Sequence, residues 1–466
     1  VIKRNLAEIA AMCGGQIRDA GDAGIEVQGV VTDSRQITKG CLFVPLAGER
    51  FDGHDFASDC LQAGAGACLW ARSKGTPPGP AVLVDDTLIA LQALAKSYLT
   101  ATGAKVVGIT GSNGKTTTKD LVYALLSTTY QVHKTKGNFN NHIGLPLTIL
   151  AMPEDTEIAV LEMGMSGRGE IELLSKIGEP ETAVVTNIGE SHLLQLGSRE
   201  EITRAKLEIL AGMKPGGLFI YNGDEPLIPQ VLAEPSTVKP EGLRTATFGL
   251  RPENDLYPTG ILFTDHHTLF TPHGSEGEPL ELPLLGEHNV SNALAAITVA
   301  RQYGVSDAAI REGFSNVELT GMRIEVITGQ SGITILNDAY NASPTSMKAA
   351  LGVLEHMKGH RKKIAVLGDM LELGDSEADY HREIGEMLTP GTVDLLFTCG
   401  PLSRHIAEGA KKQLDPNCIH AYTDKSELIR KLVSLLHPQD IVLVKASRGM
   451  KLEEVVEAIK TSELTH

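Results

Sequence analysis

The sequence predicts an α/β protein of three consecutive units, at least two of them built on parallel sheets covered on both faces. Three observations carry this. Short, continuous apolar runs alternate with helical stretches through most of the chain, the pattern of strands buried on both sides. Glycine is abundant, at 48 residues, while aromatics make up only 4%; tight βα turns fit this better than a β-sandwich does. With 466 residues the chain is too long for one core.

The first unit is expected over residues 1–85. Strand-like pieces occur at 29–32 and 41–46, and a Pro/Gly-rich loop at 74–80 lies near its end. A helix over 87–100 opens the second unit, 86–321. Its strands are expected at 106–107, 158–161, 183–186 and 218–221, separated by helices as in a parallel sheet. Residues 247–283 read as antiparallel strands and turns, and helices return at 289–303 and 306–314. The third unit, 322–466, repeats the doubly wound pattern with strands at 333–336, 364–367, 395–398 and 441–444. Ser343 and Pro344 start a helix there, serine as the cap and proline in the first turn.

Composition narrows the function. Hydrophobic content of 42% and charged content of 21% are those of ordinary globular proteins. A formal net charge of −16 disfavours a general nucleic-acid binder, so anionic ligands must be met by local positive sites. Cys13, Cys41, Cys60, Cys68, Cys399 and Cys418 form no CxxC pair, which argues against a disulfide framework or zinc site and for a reducing cytoplasm. Asn5 and Glu8 break the apolar run after Lys3 and Arg4, so no signal peptide is expected. No stretch approaches about 20 apolar residues, so no membrane span is expected.

The run GITGSNGKTTT, Gly108 to Thr118, is the most informative motif. A strand, a glycine turn and a helix N-terminus make an anion cradle, with backbone N–H groups and the helix dipole aimed at phosphate. Lys115 adds a mobile positive charge, and the Thr116 hydroxyl is placed to meet magnesium. Only two residues separate Gly111 from Gly114, fewer than in the usual P-loop. The bland alternative is a glycine-rich βα turn with a surface lysine.

Glu162 follows the 158–161 strand and opens EMGMSGRGE; His192, in NIGESH, follows the strand ending at Thr186. Ligands of open α/β sheets gather at the carboxyl ends of strands, so both would approach phosphates held by Lys115. Magnesium prefers oxygen, which makes Glu162 a natural ligand and His192 a less usual one. On the residues alone, a loop-capping Glu162 and an ordinary loop histidine remain equally open. Four polar clusters add candidates. KGNFNNHIG (136–144) offers asparagine amides to sugars and phosphates, or is an ordinary loop. Asn289 and Asn292, in EHNVSNA, would cap a helix or read a base edge, capping being the favoured reading. Arg323 stands at a junction between units, suited to a bidentate phosphate contact or an exposed ion pair. Asp338 and Asn341, in NDAYNASPTS, lie just past a strand end, where an Asx-turn is the alternative.

Taken in order, these pieces resemble the Mur ligases, the ATP-dependent amide-forming enzymes of peptidoglycan precursor synthesis. The likeness covers nearly the whole chain, and the shortened TGSNGKTT loop is itself typical of the family. GNFNNHIGLP, EMGMSGRGEI, NDAYNASPTSM and VLGDMLELG look like the D-alanyl-D-alanine-adding branch. The Asp-Asn-Pro-Arg motif of the diaminopimelate-adding relatives is absent; the nearest string, Asp415-Pro416-Asn417-Cys418, does not match.

The resemblance implies a small N-terminal UDP-binding unit, a central P-loop ATPase-like unit and a C-terminal Rossmann-like unit. It implies ATP and two magnesium ions. Thr110, Gly111, Ser112, Asn113, Gly114, Lys115 and Thr116 would hold the phosphates. Thr116 and Glu162 would hold one metal ion and His192 would help hold a second. Lys206 matches the family's carbamylated lysine, a modification that supplies an anionic oxygen ligand and requires a neutral amine; spacing alone reads Lys206 as a solvated helix residue. Asn289 and Asn292 match the adenine side, while Arg323 and Asp338 match residues closing over ribose and γ-phosphate. Ser34 and Arg35, in TDSR, belong to the UDP side, with Asn138, Asn140 and Asn141 on the nucleotide-sugar. Asn341, Ser343, Ser447 and Arg448 are candidates for the dipeptide.

The implied reaction joins D-Ala-D-Ala to UDP-N-acetylmuramoyl-tripeptide through an acyl phosphate, in the bacterial cytoplasm, by a monomer that closes about a hinge near 318–322. Lys115, Lys206, His192, Arg323 and Asp338 would carry the chemistry. The alternatives are another ligase of the superfamily, such as a folylpolyglutamate-type enzyme, or a P-loop kinase or nucleotide switch. The missing DxxG and NKxD elements weigh against a GTPase switch.

Overall fold

The computed structural model describes residues 1–320 and 324–464. Met322 and Arg323, expected at a hinge and at a phosphate, lie outside the described residues.

The central sheet explains the continuous apolar runs. Its six parallel strands lie in the order Val132–Lys134, Ile158–Glu162, Lys105–Thr110, Thr182–Val185, Leu218–Asn222, Arg244–Phe248. Successive residues of a strand face opposite sides, and here both sides are covered. Ala159 and Leu161 enter one core while Ile158 and Val160 enter the other. The strand preceding the glycine turn is interior. The chain leaves it toward one edge and returns on its other side at Thr182–Val185. That reversal opens a crevice at the strand ends, the usual ligand position in such sheets. Register brings the ends together, with Glu162 opposite Ile109 and Val185 opposite Thr110.

A three-stranded antiparallel sheet, Pro258–Phe263, Thr268–Pro272 and Leu280–Leu282, sits where antiparallel strands are expected. Helices Glu287–Gln302 and Asp307–Ser315 follow, the second capped by Ser306. Both pack on Lys115–Leu126, the helix that starts at the phosphate cradle.

The N-terminal five-stranded sheet runs Gln16–Ile17, Ala81–Val84, Ala67–Ala71, Leu42–Phe43, Val30–Val31. The 41–46 run pairs only over Leu42–Phe43, and Pro45 has no N–H with which to continue the ladder. Helix Thr87–Thr102, capped by Asp86 and ended by Gly103, joins this unit to the central sheet. Ala90, Leu91, Leu94 and Tyr98 share one core with Leu6 and Ile9 on one side and Leu145 and Ile149 on the other.

The C-terminal sheet runs Glu325–Thr328, Thr334–Asp338, Ile441–Lys445, Lys363–Gly368, Leu395–Cys399, Ile419–Tyr422, parallel except for its first strand. The four anticipated strands form its interior. The two edge strands were not anticipated because each is short and only half buried, with residues such as Glu325 and His420 breaking the apolar run. Ser343 caps helix Pro344–His356 in a capping box with Ser346, as expected. Among the described residues, no helix is long and apolar enough to cross a membrane.

Candidate active site

The glycine turn is held by backbone geometry that only glycine tolerates. Gly111 and Gly114 have φ of +147° and +79°. A Cβ on Gly111 would lie 1.9 Å from Thr186 Oγ1, and one on Gly114 would lie 2.7 Å from the Asn292 amide. The neighbouring strand end fixes the rest of the turn. Ser112 N–H donates to the Asn187 carbonyl at 3.1 Å, Asn113 N–H donates to Asn187 Oδ1 at 2.9 Å, and the Thr186 hydroxyl donates to the Asn113 carbonyl at 2.5 Å. Lys115 Nζ donates to the Gly111 carbonyl at 2.9 Å, folded back over the turn. Thr110 Oγ1, Ser112 Oγ and Asn113 Nδ2 are buried without a hydrogen-bond partner among the described residues. Such orphaned groups are costly unless a ligand satisfies them, and here they surround a helix N-terminus built for anions.

Glu162 is the last residue of its strand rather than the first of the loop, and it is 2% exposed. Its Oε2 accepts the Thr116 hydroxyl at 3.0 Å and its Oε1 accepts Asn140 Nδ2 at 2.9 Å. A hydroxyl and a carboxylate at a phosphate cradle are the few protein oxygens magnesium takes when phosphates and water fill its other positions. These residues therefore fit one such ion.

Lys206 corrects the solvated-helix reading. On helix Arg199–Leu207 it shares a face with Ile202, four residues earlier, and both are buried. Arg204, two residues before it, turns outward to pair with Glu234 and Glu201. Burial, and then the charge of Lys115, push the Lys206 amine well below the ordinary lysine value, with Glu162 and Glu170 opposing. His192 is held below the ordinary imidazole value by burial and then by Lys206 and Lys115. As an ammonium, Lys206 does not fit a cation site, and among the described residues no three His, Cys, Asp or Glu side chains converge on one.

The C-terminal unit meets this site at three places. Ser343 Oγ donates to Asn113 Oδ1 at 3.5 Å. The Thr345 hydroxyl and N–H donate to Glu190 at 2.8 and 3.2 Å. Leu194 N–H donates to the Glu372 carbonyl at 3.2 Å. His192 and Glu372 both adopt φ values uncommon for non-glycine residues, 67° and 64°, and their side chains approach to 3.9 Å. Between the units lies a cavity of about 450 Å³ whose lining includes Asn187, His288, Asn292, Thr345 and Lys348.

Comparison with known proteins agrees with this geometry. Family models described as "Mur ligase family, catalytic domain", "Mur ligase middle domain" and "Mur ligase, glutamate ligase domain" match residues 26–115, 109–300 and 322–448. The UDP-N-acetylmuramoyl-tripeptide--D-alanyl-D-alanine ligase of Bacillus subtilis (strain 168) is 49% identical over 467 residues, covering 100% of both chains. The chain belongs to the Mur ligase family. A crystal structure of MurF from Acinetobacter baumannii is 30% identical with a TM-score of 0.89, covering 99% of each chain. The MurF ligase of Thermotoga maritima in complex with ADP is 31% identical with a TM-score of 0.80, covering 93% of this chain and 97% of that one.

Several residues read from the Mur ligase pattern stand apart from the cradle or do other work. Asp338 faces the neighbouring strand and pairs with Lys445 at 2.6 Å. The contact to the glycine turn is made instead by Ser343. Asn289 and Asn292 do not cap their helix, which is preceded by Gly286; Asn289 donates to the Leu285 carbonyl and Asn292 donates to Asn289. Asn292 lines the cavity. Asn141 accepts the N–H groups of Ile143 and Gly144, and Asn138 is exposed. Asn341 Oδ1 accepts the Ala342 N–H, Ser447 Oγ accepts the Leu371 N–H, and Arg448 lies over the Tyr340 ring. Arg35 is an exposed partner of Asp33, beside Ser34 on the same short 3-10 turn. Sequence reasoning missed Thr186, Asn187 and Glu190, although NIGESH contains two of them. Their task is to hold backbone and helix ends, and spacing alone does not advertise it.

Proposed function

We propose that the chain is an ATP-dependent ligase that joins D-alanyl-D-alanine to UDP-N-acetylmuramoyl-tripeptide, giving the pentapeptide, ADP and phosphate. One observation carries the reading: a phosphate cradle with orphaned polar groups faces the Thr116–Glu162 pair in a chain that matches a ligase of this type along its full length. The cavity beside Asn292 has the volume of a small-molecule site and suits the adenosine part of ATP.

The tripeptide carboxylate attacks the γ-phosphorus, and ADP leaves. The D-Ala-D-Ala amine then attacks the acyl carbon, loses a proton, and phosphate leaves with the former carboxylate oxygen. Two anions must meet in the first step. Lys115, at the mouth of the cradle, offsets that repulsion, and the helix N-terminus adds fixed N–H donors. Magnesium, when bound, supplies Lewis-acid polarisation of the phosphates. Thr116 and Glu162 are the residues to hold it. A second ion needs Lys206 carbamylated, and the depressed pKa favours the neutral amine that carbamylation requires. His192, kept neutral, is fit to ligate beside it.

The test is phosphate release from ATP with each acceptor omitted in turn. Release that requires both the UDP-muramoyl-tripeptide and D-Ala-D-Ala is the expected result. Hydrolysis that needs neither, or a phosphorylated alcohol product, would overturn the reading.

A further inference from the structure

The helix that begins at the phosphate cradle carries a second set of charges one turn below it. Lys119 lies four residues after Lys115, and Asp120 four after Thr116, so each sits under its counterpart on the same helix face. Lys119 is 0% exposed and Asp120 1%. Lys119 Nζ stands 3.9 Å from Glu162 and 3.6 Å from Asp120, and it has no hydrogen-bond partner among the described residues. Asp120 is fully engaged. Its Oδ1 accepts Lys134 Nζ at 2.8 Å and the Thr320 hydroxyl at 3.0 Å, and its Oδ2 accepts the Thr320 N–H at 2.6 Å. Lys134 is itself held over the Tyr123 ring. Thr320 stands just before the strand that opens the C-terminal sheet at Glu325.

We propose that Lys119 and Asp120 are positioning residues that couple occupancy of the phosphate cradle to the segment entering the C-terminal unit. The inference rests on the ATP-site reading above. The coupling is electrostatic. Lys119 is poised between two carboxylates and hydrogen-bonds neither. A cation drawn to Thr116 and Glu162 repels Lys119 and draws off the Glu162 charge. Lys119 then turns to Asp120, whose Oδ1 already serves Lys134 and Thr320. The Thr320 hydroxyl is the weakest of these contacts and the first to yield. Filling the cradle thus changes how tightly the chain leading to the C-terminal unit is pinned to the nucleotide helix.

The test uses the full chain with a spectroscopic distance label on each of the central and C-terminal units, titrated with ADP and magnesium. In the wild type, nucleotide shifts the inter-unit distance and tightens the UDP-muramoyl-tripeptide by a coupling factor. Thr320→Val keeps the N–H contact and removes the hydroxyl one. By linkage it should tighten nucleotide modestly, because the hydroxyl contact no longer has to break, and it should alter the coupling factor about 3- to 30-fold. Asp120→Asn should alter it more. Since Asp120→Asn risks misfolding, Thr320→Val decides where that variant is not folded. A coupling factor and distance shift unchanged in folded Thr320→Val would overturn the proposal, as would a wild type whose inter-unit distance ignores nucleotide. A wild type that binds no nucleotide would instead overturn the ATP-site reading itself.

Discussion

Lys119 and Lys206 lie in the same central unit, both buried and both with the Glu162 charge opposing the effect of burial, but with different nearest neighbours. Lys119 stands between Asp120 and Glu162, whose charges oppose the effect of burial. Lys206 has burial and the Lys115 charge acting together against its ammonium form, and Glu162 and Glu170 do not make up for them. The difference separates two uses of a buried lysine. A lysine held between two carboxylates serves structure, and one set beside another cation is pushed further toward the neutral amine that chemistry uses.

The largest expected effect breaks this contrast if it fails. Lys119→Met removes a buried cation from between Asp120 and Glu162, leaving Asp120 to Lys134 and Glu162 to its hydrogen bonds, and should destabilise the fold by about 3–5 kcal/mol. Lys206→Met removes an unfavourable buried amine and should cost nothing or raise stability. Urea unfolding of both variants makes the comparison; equal losses would show that the two environments do not differ as described.

Next in size is Lys115, the charge that distinguishes the Lys206 pocket. Lys115→Ala should lower turnover about 10²–10³-fold, as expected for loss of one preorganised charge donor. Steady-state phosphate release measures it. The same substitution should let the Lys206 pKa rise toward its ordinary value.

The fold was largely legible because central strands buried on both faces leave continuous apolar runs, as at 158–161 and 441–444. Edge strands such as Ile419–Tyr422 left no such trace. In the site, the glycine turn announced itself because Gly111 and Gly114 have no substitute there. Lys206 did not, because ITRAKLEIL reads as amphipathic only once Ile202 and Ala205 are known to face inward. The resemblance to a family supplied that residue before its environment did. Glu190 and Asn187 escaped notice because their partners, Thr345 and the Ser112–Asn113 backbone, are distant in sequence.

A smaller effect sharpens the contrast through pH. The Lys206 pKa is lowered in the folded chain, so the unfolded chain binds the extra proton from that lowered value up to about 10.4. The penalty is full below the folded value, shrinks as pH rises, and is gone above the unfolded one. In bicarbonate-free buffer, stability should therefore rise with pH across this window, by at most about 1.4 kcal/mol per unit. Lys206→Met should lose that slope, and Lys206→Arg, which stays charged, should be less stable throughout. Unfolding at neutral and alkaline pH reads both.

The smallest effect lies outside both pockets. Ser343→Ala removes the cap of helix Pro344–His356 and the contact to Asn113, and should cost about 1 kcal/mol. Thermal unfolding measures it, and nucleotide affinity should change little.

Attack of a carboxylate on phosphate is the step the cradle serves. Its most direct test is a single turnover with the tripeptide's terminal carboxylate labelled on both oxygens with oxygen-18. Transfer of one label into the inorganic phosphate released with the amide is the predicted result. Amide formed with unlabelled phosphate, or label appearing in AMP, would contradict it.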